Sequence, residues 1–168
     1  MHTAQPSPRN FPVVCVGGSA GGLDAYIRLL KHLPVDLITD RLSIEPNRVF
    51  IIPENRDLHV EDGEFHLRPI SKPRGWPDVI TVFLRSLTDY WDGKLIAVIV
   101  SGYDGDGAAA LRGIKEVGGI TIAQKLDTAI QPDMPQSAID TGCIDFVLSP
   151  EDIALQIRRI AHTESDPA

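Results

Sequence analysis

The sequence predicts an α/β fold: a doubly wound, mostly parallel sheet with helices on both faces and an antiparallel hairpin at about residues 48–69. Three observations lead to this prediction. Short runs of aliphatic and β-branched residues alternate with stretches of helical period. Those runs are apolar throughout, as is typical of parallel strands that are buried on both faces. One segment instead joins two extended runs around the turn residues EDGE, which indicates a hairpin.

The predicted elements follow one another in a regular order. VVCVGG is the first strand, and LDAYIRLLKHL after it has the spacing of an amphipathic helix. The hairpin segment NRVFIIPENRDLHVEDGEFHLRPI comes next, and WPDVITVFLRSLTDYW is a helix with a proline early in its first turn. Strand and helix then alternate through LIAVIVSG, GAAALRGIKEVG, ITIAQK, FVLS and PEDIALQIRRIA. We expect one domain over residues 11–162, with disordered tails at 1–10 and 163–168.

Composition excludes several classes of partner. The chain has 23 acidic residues against 16 Lys and Arg, and a net charge of -7 does not attract a phosphate backbone, so we expect no nucleic-acid partner. Cys15 and Cys143 lie in apolar runs, which favours two buried thiols over a disulfide. The sequence shows neither a membrane-spanning stretch nor a signal peptide. We therefore expect a cytoplasmic protein without membrane insertion.

Two loops follow predicted strands and lie where parallel sheets gather their functional groups. In the first, residues 17–21 fit the G-x-S-x-G turn that exposes a nucleophilic serine, here Ser19. A phosphate cradle and a tight turn without chemistry remain alternatives, because short glycine-rich motifs are weakly specific. A dinucleotide fingerprint would need glycine in place of Ser19, and the lysine of a P-loop is missing.

The second loop, SGYDGDG, carries Asp104 and Asp106. A calcium loop is rejected, because Ala109 and Lys115 stand where that loop needs glycine and glutamate, and we expect no metal site. A strand followed by Asp-x-Asp-Gly also resembles the nucleophile motif of haloacid dehalogenases, but Ala108 replaces the expected threonine. Asp106 could equally accept N–H bonds at the start of GAAALRGIKEVG, a capping role that is compatible with catalysis.

Four segments together resemble, in order, the catalytic domain of bacterial chemotaxis protein-glutamate methylesterases, the CheB type. They are VVCVGGSAGGLDAYIRLLKHLP, PNRVFIIPENRDLHV, LIAVIVSGYDGDGAAALRGIKEVGGITIAQ and MPQSAIDTGCIDFVLSPEDIALQI. The resemblance implies a doubly wound α/β fold and hydrolysis of glutamate methyl esters on chemoreceptors, with glutamine deamidation in some members. It implies a serine, histidine and aspartate triad without a cofactor, in which Ser19 is the nucleophile and Asp106 the aspartate.

The resemblance also assigns the residues around the nucleophile. Gly18, Ala20 and Gly21 flank Ser19, and Tyr103 lies in the loop near the oxyanion site, so these four residues form the expected substrate or oxyanion loops. Ala20 stands where the family often has threonine, and Tyr103 stands where it often has methionine. Either change would alter contacts with the substrate.

The catalytic histidine has no identified counterpart. In the family it lies on a loop after a second strand, within a segment that this sequence lacks between Asp36 and Leu37. Other histidines are poor substitutes on geometric grounds. His32 lies at the far end of the helix that Ser19 precedes, His59 and His66 lie on the hairpin, and His162 follows the last helix.

The resemblance implies a chemoreceptor or a similar signalling protein as partner, and it allows a separate receiver domain as a second one. A methylesterase-like hydrolase is therefore the expected function. The alternative is a binding or regulatory module that retains the fold without the histidine base. An esterase of the α/β-hydrolase type with another substrate is a weaker third possibility.

Overall fold

The computed structural model describes residues 11–19, 21–30, 35–73 and 75–163. The predicted tails lie outside this range, except that Thr163 ends the last helix. The strands are β1 (Val13–Gly17), β2 (Val35–Leu37), β3 (Leu42–Ser43), β4 (Val49–Ile51), β5 (Arg56–Glu61), β6 (Glu64–Pro69), β7 (Leu95–Ile99), β8 (Ile120–Gln124) and β9 (Phe146–Leu148). The α-helices are α1 (Gly22–Leu30), α2 (Val79–Tyr90), α3 (Leu111–Glu116), α4 (Asp133–Asp140) and α5 (Pro150–Thr163).

A four-stranded parallel sheet is the centre of the fold, with the strand order β1, β7, β8, β9. β1 pairs with β7 from Val13 opposite Leu95 to Gly17 opposite Ile99. β7 pairs in parallel with β8, and β8 with β9. All four strands therefore end at the same edge, where the loops that follow β1 and β7 meet. Among the described residues, β1 pairs with β7 alone.

Helices cover both faces of this sheet, which confirms the doubly wound prediction. Successive residues of β7 point to opposite faces because a strand has a period of two. Ala97 and Ile99 belong to a core that includes residues of α2, α3 and α4. Ile96 and Val98 belong to a second core, formed with residues of α1 and α5. The strand is buried along its whole length, and this explains why its sequence is apolar throughout.

The predicted hairpin is present, and it is shorter than expected. β5 and β6 pair antiparallel from Arg56 opposite Pro69 to Glu61 opposite Glu64, and β3 adds to the edge of β6. The run at Val49–Ile51 instead pairs in parallel with β2 in a separate two-stranded sheet. Asn55, with φ of 57°, lies in the turn that separates β4 from the hairpin.

The pair β2 and β4 also lies outside the sequence prediction, as does α4. The side chains of Val35, Leu37 and Ile51 on this pair are largely exposed. Phe50 instead packs edge to face against Phe65 of the hairpin, with 5.0 Å between ring centroids. The pair is therefore attached to the hairpin side of the molecule and leaves an aliphatic surface open.

Two further sequence expectations concern the cysteines and the membrane. Cys15 is buried and Cys143 half-buried, and both are free thiols. Within the ranges that the structure describes, every helix is too short or too polar to cross a lipid bilayer.

Ser86 links α2 to the hairpin through one buried side chain. Its Oγ accepts a bond from Val60 N at 2.6 Å and donates to Val60 O at 3.2 Å. Ser86→Ala leaves both backbone groups buried without these bonds, so we expect the free energy of unfolding to fall by about 1–3 kcal/mol in urea titrations. Thr88→Ala, which removes a bond from Thr88 Oγ1 to Arg85 O in the same helix, is the control and should cost much less. Equal losses would contradict the assignment.

Asp145 gives the fold a defined acid dependence. Burial alone would raise its pKa, but hydrogen bonds from Lys115 Nζ and from Thr121 outweigh burial and hold the pKa of Asp145 below its ordinary value. A carboxyl group whose pKa is lower in the folded than in the unfolded state stabilises the folded state at pH values above the unfolded pKa of about 3.9. This stabilisation is lost as the pH falls through the folded-state pKa. The stability difference between wild type and Asp145→Asn should therefore be largest near pH 7 and shrink in acid, as measured by urea unfolding. A difference that stays constant down to pH 2.5 would contradict this.

Candidate active site

The two loops chosen from the sequence lie together at the carboxyl edge of the sheet. Ser19 follows β1, and its backbone N–H donates to Ser101 O, just after β7, at 2.8 Å. The Ser19 side chain is held by the same loop, because Tyr103 N donates to Ser19 Oγ at 3.2 Å. The structure therefore brings the predicted serine into direct contact with the loop that carries Asp106.

This contact requires glycine at position 102. A Cβ at Gly102 would lie 2.6 Å from Ser19 Oγ and 2.6 Å from Met134 Cε, which is closer than atoms approach without displacement. Glycine thus permits the approach of the loop backbone to the hydroxyl.

Asp106 caps the first turn of α2. Its Oδ2 accepts from Ile80 N at 2.9 Å, and its Oδ1 accepts from Thr81 N and from Thr81 Oγ1, both at 2.8 Å. The alternative in which Asp106 caps the segment GAAALRGIKEVG is therefore wrong, because the helix that Asp106 caps is α2. The segment after Asp106 begins with a 3₁₀ turn at Ala108–Ala110 whose N-cap, Gly107, has no side chain. The carboxylate reaches across to α2 instead, where the exposed N–H groups of the first turn favour an anion.

Thr81 fixes the other side of this junction. Its Oγ1 accepts from Gly107 N at 2.8 Å while it donates to Asp106. Gly107 has φ of 91°, and a Cβ there would lie 2.8 Å from Ile80 Cγ2. One buried hydroxyl therefore orients both the carboxylate and the backbone of the residue after it.

The remaining predicted loop residues take different places around Ser19. Gly18 O accepts from Tyr26 Oη at 3.3 Å. Gly21 has φ of 77° and packs on Ser101 and Ile130. Ala20 lies outside the described residues. Tyr103, which contacts Ser19 through its N–H, and Ile130, which lies against Gly21, are 63% and 62% exposed, and we call these two residues the apolar rim of the site.

Two titratable groups beneath the loops stay protonated. Burial, and secondarily the charge of Asp106, raises the pKa of Cys15 to about 12. Burial, together with Cys15, also raises the pKa of Tyr26 to about 12. Neither group is a base at neutral pH, and Tyr26 remains a donor to Gly18.

The described histidines lie on the hairpin and in the last helix. His59 and His66 are cross-strand neighbours on the hairpin, and burial and the charge of Arg68 lower the pKa of His59. α5 starts just after the carboxyl end of β9 and runs back along the sheet, so His162 in its last turn lies toward the opposite edge. None of the hydrogen bonds found among the described residues joins a histidine to Ser19 or Asp106. His32 lies outside the described residues.

No described group of three or more His, Cys, Asp or Glu side chains could hold a metal ion. The site as described consists of a serine hydroxyl, a carboxylate and backbone N–H groups. A serine on a G-x-S-x-G turn at the carboxyl edge of a doubly wound sheet is a feature shared with hydrolases that use a serine nucleophile.

Comparison with known proteins identifies the family. The model of the CheB methylesterase family matches residues 31–157, and the chain belongs to that family of carboxylic ester hydrolases. This confirms the family resemblance seen in the sequence. Asp106 lies within the matched range, whereas Ser19 precedes it.

Several relatives and one solved structure are similar to the chain. A putative protein-glutamate methylesterase/protein-glutamine glutaminase of Leptospira interrogans is 29% identical over 178 residues, with 86% of this chain and 92% of that protein covered. The corresponding protein of the group 3 operon of Rhizobium meliloti is 31% identical over 157 residues, with 89% of this chain covered and 43% of that protein. The CheB methylesterase catalytic domain of Thermotoga maritima has a TM-score of 0.78 at 24% identity and covers 90% of this chain and 99% of its own, which confirms the fold.

Some relatives contain residues without a counterpart here. The Leptospira alignment extends over 178 positions, and an alignment with protein-glutamate methylesterase/protein-glutamine glutaminase 4 of Burkholderia thailandensis, 28% identical, extends over 191. Both exceed the 168 residues of this chain. The relatives therefore have insertions relative to it.

The sequence analysis did not identify Thr81, Ser101 and Gln124 as site residues. All three are polar and at least 97% buried, and each follows or interrupts an apolar run. A polar residue within or directly after an apolar run is therefore a signal that could have identified them, because a buried polar side chain nearly always has a hydrogen-bond partner.

The capping role of Asp106 can be measured through stability. Asp106→Ala leaves the N–H groups of Ile80 and Thr81 and the Thr81 hydroxyl without their acceptor, so we expect a loss of about 1–3 kcal/mol in urea unfolding. Asp106→Asn keeps one acceptor oxygen and should lose less. Unchanged stability of Asp106→Ala would show that α2 does not depend on the carboxylate.

Proposed function

We propose that this chain is a protein-glutamate methylesterase-type hydrolase in which Ser19 is the nucleophile. The supporting observation is the contact of Ser19 Oγ with the N–H of Tyr103, in the loop that carries Asp106, within a chain of this family. The hydroxyl is held at the open edge of the sheet, where a substrate can reach it.

The reaction follows from this geometry. Ser19 Oγ attacks the ester carbonyl, and its proton passes to a base and then to the departing methoxide, which leaves as methanol. Water hydrolyses the acyl-enzyme and restores the serine. The N–H of Tyr103, already directed at the serine oxygen, is the candidate donor to the negative charge that develops on the carbonyl oxygen.

The base is the missing part of this proposal. We place the family's histidine in a segment absent between Asp36 and Leu37, and the long alignments with the Leptospira and Burkholderia relatives support an absent segment. General base catalysis contributes about 10²–10⁴-fold, so turnover by this chain alone should be slow.

The proposed substrate is a methylated glutamate on a chemoreceptor, with glutamine deamidation as a second reaction that releases ammonia instead of methanol and passes through the same acyl-enzyme. The relatives whose printed names combine both activities support this pairing. The exposed Tyr103 and Ile130 give the site an apolar rim suited to a protein substrate. We place the chain in the cytoplasm, where a separate receiver domain would regulate it.

A binding or regulatory module without hydrolysis is the second candidate. It is favoured by the engagement of both Asp106 oxygens with α2, a structural role that needs no catalysis. In that case Ser19 and the apolar rim would bind a partner without cleaving an ester.

Release of methanol from methylated receptor separates the two candidates. We expect slow release by the wild type, and an increase with added imidazole, because a soluble base can replace the missing one. Ser19→Ala should lose both the basal and the imidazole-dependent rate, while Ser43→Ala, on the exposed strand β3, should keep them.

Equal rates for wild type and Ser19→Ala, with and without imidazole, would reject hydrolysis and leave the binding module. An imidazole-independent rate that is fast and lost in Ser19→Ala would show instead that the chain contains its own base.

A further inference from the structure

A buried amide lies directly beneath the serine loop. Gln124 is the last residue of β8 and is 1% exposed, and both ends of its amide are used. Its Oε1 accepts from Ser101 N at 2.9 Å. Its Nε2 donates to Thr128 O at 3.0 Å and to Thr128 Oγ1 at 3.2 Å.

Ser101 transmits this restraint to the nucleophile. Its carbonyl accepts from Ser19 N at 2.8 Å, so Gln124, Ser101 and Ser19 form one continuous series of hydrogen bonds. Tyr103, whose N–H contacts Ser19 Oγ, follows Ser101 by two residues in the same loop. A shift of Ser101 would therefore move both the nucleophile and its N–H partner.

The other end of the amide restrains the opposite side of the loop. Thr128 leads into Gln131, whose N–H donates to Ser101 Oγ at 2.9 Å and whose carbonyl accepts from Gly102 N at 3.0 Å. Met134 N then donates to Gly102 O at 3.0 Å. One side chain thus connects β8 to Ser101 and to the segment 128–134, whose residues bond to Ser101 and Gly102.

The chemistry of this position requires an amide. Ser101 N needs an acceptor and Thr128 O needs a donor, and glutamine supplies both without charge. An ionised glutamate supplies only the acceptor, and methionine fills the volume but supplies neither. Buried groups deprived of a partner move or recruit water, and a misplacement of about 1 Å can cost about 10²-fold in rate.

We infer that Gln124 is a positioning residue for the Ser19 site, acting through Ser101 on the nucleophile and on the N–H of Tyr103. The inference rests on the proposed function for its effect on turnover. Its effect on the loop backbone is independent of turnover.

The test compares Gln124→Met with a matched variant on the same strand. Thr121 is fully buried at the other end of β8, and its Oγ1 bonds to Cys143 O and Asp145, far along the strand from the loop. Thr121→Val therefore also removes buried hydrogen bonds, but it leaves the Ser101 contacts unchanged.

Two measurements are made on each variant: the imidazole-assisted, Ser19-dependent kcat and KM for methanol release, and amide hydrogen exchange at Ser19, Ser101 and Tyr103 by NMR. For Gln124→Met we expect kcat to fall by about tenfold or more with KM nearly unchanged, and exchange at these amides to accelerate. Thr121→Val should change neither. The effects of Gln124→Glu, which keeps the acceptor for Ser101 N, should be intermediate between those of the wild type and Gln124→Met. This variant replaces Gln124→Met in the comparison if the methionine variant does not fold.

Unchanged exchange at the three amides in the Gln124 variants would overturn the inference, as would an equal fall in kcat for Thr121→Val. Faster exchange with unaltered kcat would also overturn it. If the wild type shows no Ser19-dependent turnover, the proposed function fails, and the exchange comparison alone decides whether Gln124 positions the loop.

Discussion

The parallel pairing of β1 with β7 is the constraint on which the rest of the site depends. Gly17 lies opposite Ile99, so the chain leaves both strands at the same level of the sheet. Ser19 and Ser101 then lie close enough for a backbone hydrogen bond of 2.8 Å. A slip in this register would separate the serine from the loop that holds it, because every side chain would change face with a shift of one residue.

The described geometry gives Asp106 a structural role before any catalytic one. Three donors from the start of α2 hold its carboxylate, and the Thr81 hydroxyl orders Gly107 as well. In a serine triad the aspartate orients the histidine and stabilises its cation. A carboxylate already held by α2 would be a preorganised partner for such a histidine, and it keeps a function when the histidine is absent.

Pattern alone predicted the parallel sheet, the helices on both faces, and the meeting of the two loops. Buried parallel strands such as LIAVI can be predicted from the sequence because burial on both faces requires a continuous apolar run. The pairing of β2 with β4 could not be predicted, because Val35–Leu37 is a strand of only three residues and its partner β4 was assigned to the hairpin. The capping of α2 by Asp106 was missed because it joins residues that are distant in sequence, and local capping rules consider only neighbours. Gln124 was missed for a related reason: a single polar residue at the end of an apolar strand does not reveal its partner.

The sheet also determines the order in which the site can form. Val13 pairs with Leu95, so the whole hairpin and α2 lie between the two strands in the chain. Contacts of such long sequence separation carry a large loop-closure entropy and generally form late in folding. The hairpin and α2 can associate through nearer contacts, but the serine loop has no partner until β7 is in place. The site therefore cannot form before β7 is in place, and a nascent chain would present no organised serine loop until the residues through Ser101 had been synthesised.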